Sequence, residues 1–259
     1  CYSRGQHERL VERPQVTTAD NDIAGYQWIL IDADPVRPSG ISASKEEKEA
    51  ARRVAGMAMK KLMAMGFSEP VVADSGNGYH LLFKIHASVE ERQVLADFLA
   101  VLDMWFSTDA VKIDTTVFNP ARITKLYGTM ARKGASTQER PHRRSYIIRA
   151  PQEIRETSMT LVRNIAAENR HMTMPADNPR QRSSGSFNLE QFLADHQVEV
   201  LKKIPISSGT KYPLAACPFD PSHKNGDAAV FAYSNGSFGF HCFHNSCAGY
   251  HWHEFREKV

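Results

Sequence analysis

The chain has 259 residues, of which 42% are hydrophobic and 24% charged, values that are ordinary for a soluble globular core with room for one small additional module. Its net charge of +3 identifies no partner. No apolar run approaches the ~18 residues of a membrane-spanning helix, so we expect no membrane partner. The polar start carries no secretory signal, so we expect a cytoplasmic protein. The start also lacks Met, which indicates a fragment of a longer chain.

The first half of the chain alternates strand-like and helix-like patterns. Ser44 with Glu47, and Ser88 with Glu91, have the spacing of capping boxes and predict that a helix begins after each serine. In chain order the predicted elements are a strand over 26–34, a helix after Ser44, strands over 70–74 and 79–85, a helix after Ser88 and a strand over 111–114. This order is typical of split βαβ folds, of the ferredoxin-like and RNA-recognition-motif-like kind. We therefore predict an α+β core with helices on one face of the sheet and a site on the other.

The second half indicates a change of organisation. It contains a helix over 157–169, a Pro-, Ser- and Gly-rich linker over 175–186, a short helix over 188–197, and a small β-rich module with turns at Asn225-Gly226 and Asn235-Gly236. The predicted domains are a main domain over 1–150, a helix and linker over 151–187, and a small domain over 188–259.

Two acids end the first predicted strand. Asp32 and Asp34 point to the same side because they are two residues apart, and Ala33 faces the helix-packed core. Two carboxylates this close repel each other unless a cation lies between them, although they could also be exposed acids before Pro35. Asp114 ends the fourth strand, which pairs next to the first in a split βαβ sheet. Three converging carboxylates favour a site for two hard divalent cations and a triphosphate.

The stretch DSGNGYHLLF (74–83) places two glycines and a histidine at a turn before an apolar strand. On its own it fits a hairpin with a satisfied histidine. Gly76 and Gly78 also allow a close backbone approach, so main-chain N–H groups of the turn could bind phosphate while His80 reaches in from the strand. Tyr79 points away from His80 and is interpreted as core.

A basic block covers residues 112–149, where nine basic residues stand against only two acids, Asp114 and Glu139. Such a block is either a solvated loop or a phosphate-binding surface. Its basic residues are Lys112, Arg122, Lys125, Arg132, Lys133, Arg140, Arg143, Arg144 and Arg149. Tyr127, inside the block, is interpreted as packing rather than as a base-stacking residue.

Three of the four cysteines lie near the end of the chain, close to several histidines. Without a secretion signal this clustering favours a metal over disulfides, although a metal-free domain with free thiols is the alternative. The candidate ligands of one structural Zn²⁺ are Cys217, His223, Cys242 and Cys247. Further histidines leave the identity of the second ligand open; they are His241, His244, His251 and His253.

The segments ILIDAD, SGNGYHLLF and VKID, in this order, resemble the three motifs of the archaeo-eukaryotic primase superfamily, over about residues 20–150. The longer segments DPVRPSGISAS and DTTVFNPARITKLYGT resemble the primase–polymerases of phages, plasmids and mobile elements. The C-terminal segment resembles the zinc-ribbon domains of bacterial-type primases, although it departs from their usual Cys-x2-His spacing.

The resemblance implies roles for individual residues. The catalytic ligands of two Mg²⁺ or Mn²⁺ ions would be Asp32, Asp34 and Asp114. The nucleotide-binding residues would be Ser75, Gly76, Gly78, His80, Arg122 and Lys125. The DNA-binding residues would be Arg132, Lys133, Arg143 and Arg144.

The implied function is primer synthesis or extension by template-directed nucleotidyl transfer. The implied partners are a single-stranded DNA template, nucleoside triphosphates and a replicative helicase, since the family often continues into a helicase domain. Two alternatives stay open. One is a non-catalytic replication-initiator module with a degenerate primase fold, which needs the basic block but not the acids. The other is a metal-dependent nuclease, in which the His80 element has no evident use.

Overall fold

A computed structural model describes residues 2–3, 17–173, 187–247 and 249–259 of the chain. The predicted linker over 175–186 lies outside the described residues. The chain divides into two compact units, Cys1–Ala167 and Glu168–Val259, with a boundary inside the segment 151–187. Among the described residues, no helix has both the length and the apolar composition needed to cross a membrane.

The first unit is built around one antiparallel sheet. Its strands are β1 Tyr2–Ser3, β2 Ile23–Pro35, β3 Val71–Asp74, β4 Tyr79–Ser88, β5 Val111–Ile113, β6 Met130–Ala131, β7 Arg143–Arg144 and β8 Tyr146–Arg149. Its helices are α1 Lys45–Ala64 and α2 Arg92–Phe106; α3, Met159–Thr173, crosses the boundary between the units.

Six of these strands form the main sheet, in the order β1-β2-β4-β3-β8, and β5 also pairs with β2. The central strands therefore run β5-β2-β4-β3, all antiparallel, which is the strand order of a split βαβ sheet. The short strands β6 and β7 pair separately. The predicted α+β class is confirmed.

The two faces of the sheet differ in chemistry because side chains alternate along each strand. On β2, Ile29, Ile31 and Ala33 are buried, and in register with them on β4 lie the buried Phe83, Leu81 and Tyr79. Helix α1 contacts both strands and contributes a buried stripe that includes Val54, Ala58 and Leu62. The opposite face of β2 carries Asp32 and Asp34.

Of the two predicted capping boxes, one is confirmed. The Ser44 hydroxyl accepts a hydrogen bond from the Glu47 amide at 3.2 Å, and the Glu47 carboxylate accepts one from the Ser44 amide at 2.8 Å, so α1 begins at Lys45. At the second, the capping box was wrong because Ser88 makes no side-chain cap bond, but the predicted start is confirmed: Ser88 is the N-cap of a 3₁₀ turn, Val89–Glu91, which leads directly into α2 at Arg92. Ser88 also ends β4, where it pairs with Gly25 of β2.

The second unit is a small antiparallel sheet between short helices. Its elements are α4 Leu189–Asp195, β9 Ile204–Ile206, β10 Gly209–Pro213, β11 Ala228–Tyr233, β12 Phe238–Cys242 and α5 Trp252–Lys258. The strand order is β12-β11-β10-β9. Asn235-Gly236 forms the predicted turn between β11 and β12, and Asn225-Gly226, both with positive φ, lies in the connection between β10 and β11.

Candidate functional site

The three predicted carboxylates meet at one end of the main sheet. β5 pairs with the end of β2, with Ile113 opposite Ala33, and the Asp114 amide then donates to the Asp32 carbonyl oxygen at 2.9 Å. Asp114 thus lies beside Asp32 although 82 residues separate them in the sequence. Asp32, Asp34 and Asp114 all line one cavity of about 670 Å³.

The same cavity collects most of the other predicted site residues. The ones that line it are Ser75, His80, Arg122, Lys125, Arg132 and Lys133. Four cationic side chains and three carboxylates therefore share one cavity. From the sequence, two of these cations were expected to bind nucleotide and two to bind DNA, whereas all four line the same cavity.

The carboxylate of Asp32 differs from the other two in its hydrogen bonding. Its Oδ1 is buried and has no hydrogen-bond partner among the described residues. The imidazole of His80 lies close by: its Nε2 is 3.5 Å from that oxygen, across the register pair of β2 and β4. A buried carboxylate oxygen without a donor is costly, so its position fits a ligand atom for a cation.

The other two carboxylates already have arginine partners. Asp34 lies 2.9 Å from the guanidinium of Arg37, and burial raises the pKa of Asp34 while the hydrogen bond to Arg37 opposes that shift. The Asp114 carboxylate accepts two hydrogen bonds from Thr116 through Oδ1, and its Oδ2 lies 3.5 Å from Arg122. The arginines therefore neutralise part of the acidic charge.

A two-cation site at the three carboxylates stays a prediction. Among the described residues, only the cysteine–histidine cluster has three or more potential ligand atoms within 4.8 Å of one another.

The glycine turn before β4 is held by its own hydrogen bonds. The Gly76 amide donates to Asp74 Oδ1 at 2.7 Å, and the Gly78 amide donates to Ser75 Oγ at 2.9 Å. Binding of phosphate by the N–H groups of this turn stays a prediction. The glycines also permit close packing: a Cβ on Gly78 would lie 2.4 Å from the Ala33 carbonyl oxygen.

His80 has a hydrogen-bond partner that was not predicted from the sequence. The Tyr127 hydroxyl lies 2.8 Å from His80 Nδ1, so Tyr127 does more than pack. Burial raises the pKa of Tyr127 far above its ordinary value. Arg37, the partner of Asp34, was missed as well, although its position three residues after the second aspartate was a usable signal.

Arg143 and Arg144, predicted to contact DNA, lie on β7 and do not line the cavity. One nitrogen of Arg143 donates to the Ala43 carbonyl at 2.6 Å, and one nitrogen of Arg144 donates to the Gly128 carbonyl at 3.0 Å. Both residues therefore hold neighbouring loops in place, and their contact with DNA stays a prediction.

The second unit contains a buried cysteine–histidine cluster. The potential ligand atoms of Cys217, His223, Cys242 and Cys247 all lie within 4.8 Å of one another. His223 Nδ1 is 3.4 Å from Cys242 Sγ and 3.5 Å from Cys247 Sγ. Three thiols and one imidazole at such distances can hold a structural metal ion such as Zn²⁺ in a tetrahedral shell. Burial raises the pKa of the Cys242 thiol to about 12, so thiolates at this site need a cation.

The structure also favours one histidine as the second potential ligand and shows what supports it. His223, not one of the later histidines, lies among the sulfurs, and the ring of His244 stacks on the His223 ring at 3.7 Å. Asp220 Oδ2 lies 3.3 Å from His223 Nε2, and Asp220 Oδ1 accepts two hydrogen bonds from Ser222. A carboxylate behind a histidine ligand fixes the ring so that the other nitrogen faces the metal.

No family model matches the chain, and neither a curated protein nor a solved structure is similar to it at a significant level.

Proposed function

We propose that the first unit is the catalytic core of a primase–polymerase, which joins nucleotides on a single-stranded DNA template and releases pyrophosphate. The observation that carries the proposal is the single cavity in which Asp32, Asp34, Asp114 and His80 meet four cationic side chains. The resemblance of the three sequence motifs to the archaeo-eukaryotic primase superfamily supports it. So does the split βαβ strand order, because it brings the motifs to the same end of the sheet.

The chemistry divides between the acidic and basic walls of the cavity. Asp32, Asp34 and Asp114 would hold two Mg²⁺ or Mn²⁺ ions, which supply Lewis-acid stabilisation of the attacking hydroxyl and of the phosphates. The Arg122, Lys125, Arg132 and Lys133 side chains would neutralise the triphosphate and the template backbone. No residue needs to form a covalent intermediate, because position and charge are what phosphoryl transfer requires.

For the second unit we propose one structural Zn²⁺, bound by Cys217, His223, Cys242 and Cys247 in a zinc-ribbon-like domain. A closed shell of four protein ligands leaves no position for a reactive water, which is why the role is structural. Template contact near the start site would be its function, and a replicative helicase domain or protein would be the partner in replication of a phage or mobile element.

The proposed function is tested by incubating the chain with single-stranded DNA and labelled ribo- or deoxynucleotides, with and without a primer, in Mg²⁺ or Mn²⁺. Labelled strands that grow on the template, and that are absent when template or divalent cation is omitted, are the expected result. No strand growth under any of these conditions would contradict the proposal. Shortening of a labelled strand would instead assign the acids to a nuclease.

A second candidate function is favoured by the arginine partners of the acids. Arg37 and Arg122 lie against Asp34 and Asp114 and neutralise part of their negative charge. This lowers the repulsion that a polyphosphate or a nucleic-acid strand would meet, so the cavity could bind either one without catalysis. This is the non-catalytic initiator module. Tight DNA binding without strand growth, unaffected by substitution of Asp32, would identify it.

A further inference from the structure

The ring of His80 lies between a carboxylate, which only accepts hydrogen bonds, and a hydroxyl, which can donate or accept them. Its Nε2 faces Asp32 Oδ1 at 3.5 Å, and its Nδ1 faces the Tyr127 hydroxyl at 2.8 Å. The residue is only 5% exposed, so these two neighbours have a large influence on which ring nitrogen carries the proton.

The two possible tautomers of the neutral ring are not equally compatible with these neighbours. If Nδ1 carried the proton, the Nε2 lone pair would face a carboxylate oxygen, which is repulsive. If Nε2 carries the proton, its N–H faces the carboxylate and Nδ1 accepts from the Tyr127 hydroxyl, so both contacts are attractive. The Tyr127 hydroxyl keeps its proton for this bond, because burial raises its pKa.

We infer that Tyr127 is a positioning residue, whose hydroxyl fixes His80 as the Nε2–H tautomer. Because this N–H faces Asp32 Oδ1 without forming a hydrogen bond to it among the described residues, it can donate to a phosphate oxygen of a bound nucleotide. The inference rests on the proposed function, in which the cavity takes a nucleoside triphosphate. His80 lines that cavity beside Asp32 and Arg122. Tyr127 lies on the segment between β5 and β6 that also carries Arg122 and Lys125, so its bond to His80 links this cationic segment to β4.

The first test reads the tautomer without any nucleotide. Nitrogen-15 NMR of the full chain with labelled histidine, with His80→Ala to identify the signals, should show Nε2 protonated and Nδ1 as a hydrogen-bonded acceptor. Tyr127→Phe should change the Nδ1 signal. The matched control is Tyr26→Phe, which removes another buried hydroxyl, bonded to the Phe118 carbonyl at 3.0 Å, and should leave the signal unchanged. A protonated Nδ1 in the unmodified chain, or an Nδ1 signal indifferent to Tyr127→Phe, would overturn the inference.

The second test asks whether Tyr127 acts through His80. Calorimetric titration with ATP and with dATP in Mg²⁺ should show that Tyr127→Phe weakens binding about 3- to 10-fold, the effect of one neutral hydrogen bond. In a His80→Ala background the same substitution should add no further loss, and Tyr26→Phe should have no effect in either background. An equal loss with and without His80 would show that Tyr127 acts independently and would overturn the inference.

The outcomes separate this inference from the proposed function. Nucleotide binding with the expected dependence on His80, but without strand growth, would defeat the proposed function alone. Strand growth with independent effects of Tyr127 and His80 would defeat the inference alone. Absence of nucleotide binding would overturn both the function and the phosphate-donor role of His80.

Discussion

Asp32 differs from the other two acids at the scale of single residues. Asp34 and Asp114 have arginine neighbours, whereas Asp32 Oδ1 is buried and has no hydrogen-bond donor within the part of the chain that the structure describes. The free energy cost of such an oxygen is of order 1–3 kcal/mol, which the fold has to offset elsewhere. Binding of a cation would remove this cost, so Asp32 is the residue whose substitution most directly probes the cavity.

Asp220 has a comparable supporting role in the second unit. Replacing it in Asp220→Asn removes the charge behind His223 Nε2, and we expect Zn²⁺ affinity to fall about 10- to 100-fold. Competition with a chromogenic chelator measures this directly. Asp195→Asn, a change of an exposed aspartate bonded to Gln191 on α4, is the matched control and should leave the affinity unchanged. Equal affinities for Asp220→Asn and the unmodified chain would contradict the supporting role.

At the scale of elements, the glycine turn before β4 sets the distance between β4 and the acidic end of β2. A Cβ on Gly78 would lie 2.4 Å from the Ala33 carbonyl oxygen and 3.1 Å from Asp34 Oδ1. Since the first of these is a backbone atom of a central strand, it cannot move aside without shifting the acids. The turn therefore positions the acidic end of β2 by close packing.

Gly78→Ala should consequently destabilise the first unit by about 1–3 kcal/mol and weaken nucleotide binding, because overpacking displaces β2. Gly56→Ala is the matched control: Gly56 lies within α1, and an added Cβ would meet nothing within 4 Å. That change should stabilise the unit by about 0.5–1 kcal/mol, the gain of Ala over Gly in a helix. Chemical denaturation of both variants provides the comparison. Equal stability of the two variants would show that the turn can relax.

The elements also show what the sequence can and cannot predict. Local signals sufficed for α1, because its capping box involves residues three apart, and for β2, because its alternation lies within one segment. The capping box at Ser88 was mispredicted. A helical turn does begin after Ser88, but Ser88 makes no side-chain cap bond and pairs with Gly25, a residue far away in the chain. The hydrogen bond between Tyr127 and His80 joins residues 47 positions apart, so no local sequence pattern indicated it.

The sequence limited the potential metal ligands to three cysteines and a few histidines. The choice of His223 over the later histidines required the folded geometry.

At the scale of the whole molecule, two compact units divide the proposed tasks. The acids and His80 belong to the first unit, and the cysteine–histidine cluster to the second. The cysteines of the cluster are part of the hydrophobic core of the second unit, beside Leu214 and Phe240. Coordination of a metal there would add to the stability of this unit, by about 10 kcal/mol for a structural zinc site.

Removal of Zn²⁺ by a strong chelator should therefore unfold the second unit and leave the first intact. Hydrogen exchange followed by mass spectrometry distinguishes the two: protection of β11 and β12 should be lost, whereas protection of β2 and β4 should persist. After the chelator has been removed and Mg²⁺ or Mn²⁺ alone has been restored, primer extension should survive, and initiation without a primer should fall. Simultaneous loss of protection in both units would contradict the independence of the first unit.

We propose that the protein joins nucleotides in the cavity that Asp32 lines. The most direct measurement is pyrophosphate release and strand growth by the Asp32→Asn variant, compared with the unmodified chain and with Glu153→Gln, which changes an exposed acid away from the cavity. We expect Asp32→Asn to lose activity at least 100-fold, as enzymes do when another charge-stabilising group is removed. The circular dichroism spectrum, which reports the fold, and the affinity for DNA should be unchanged. Glu153→Gln should be as active as the unmodified chain. Strand growth by Asp32→Asn at the unmodified rate would contradict the account.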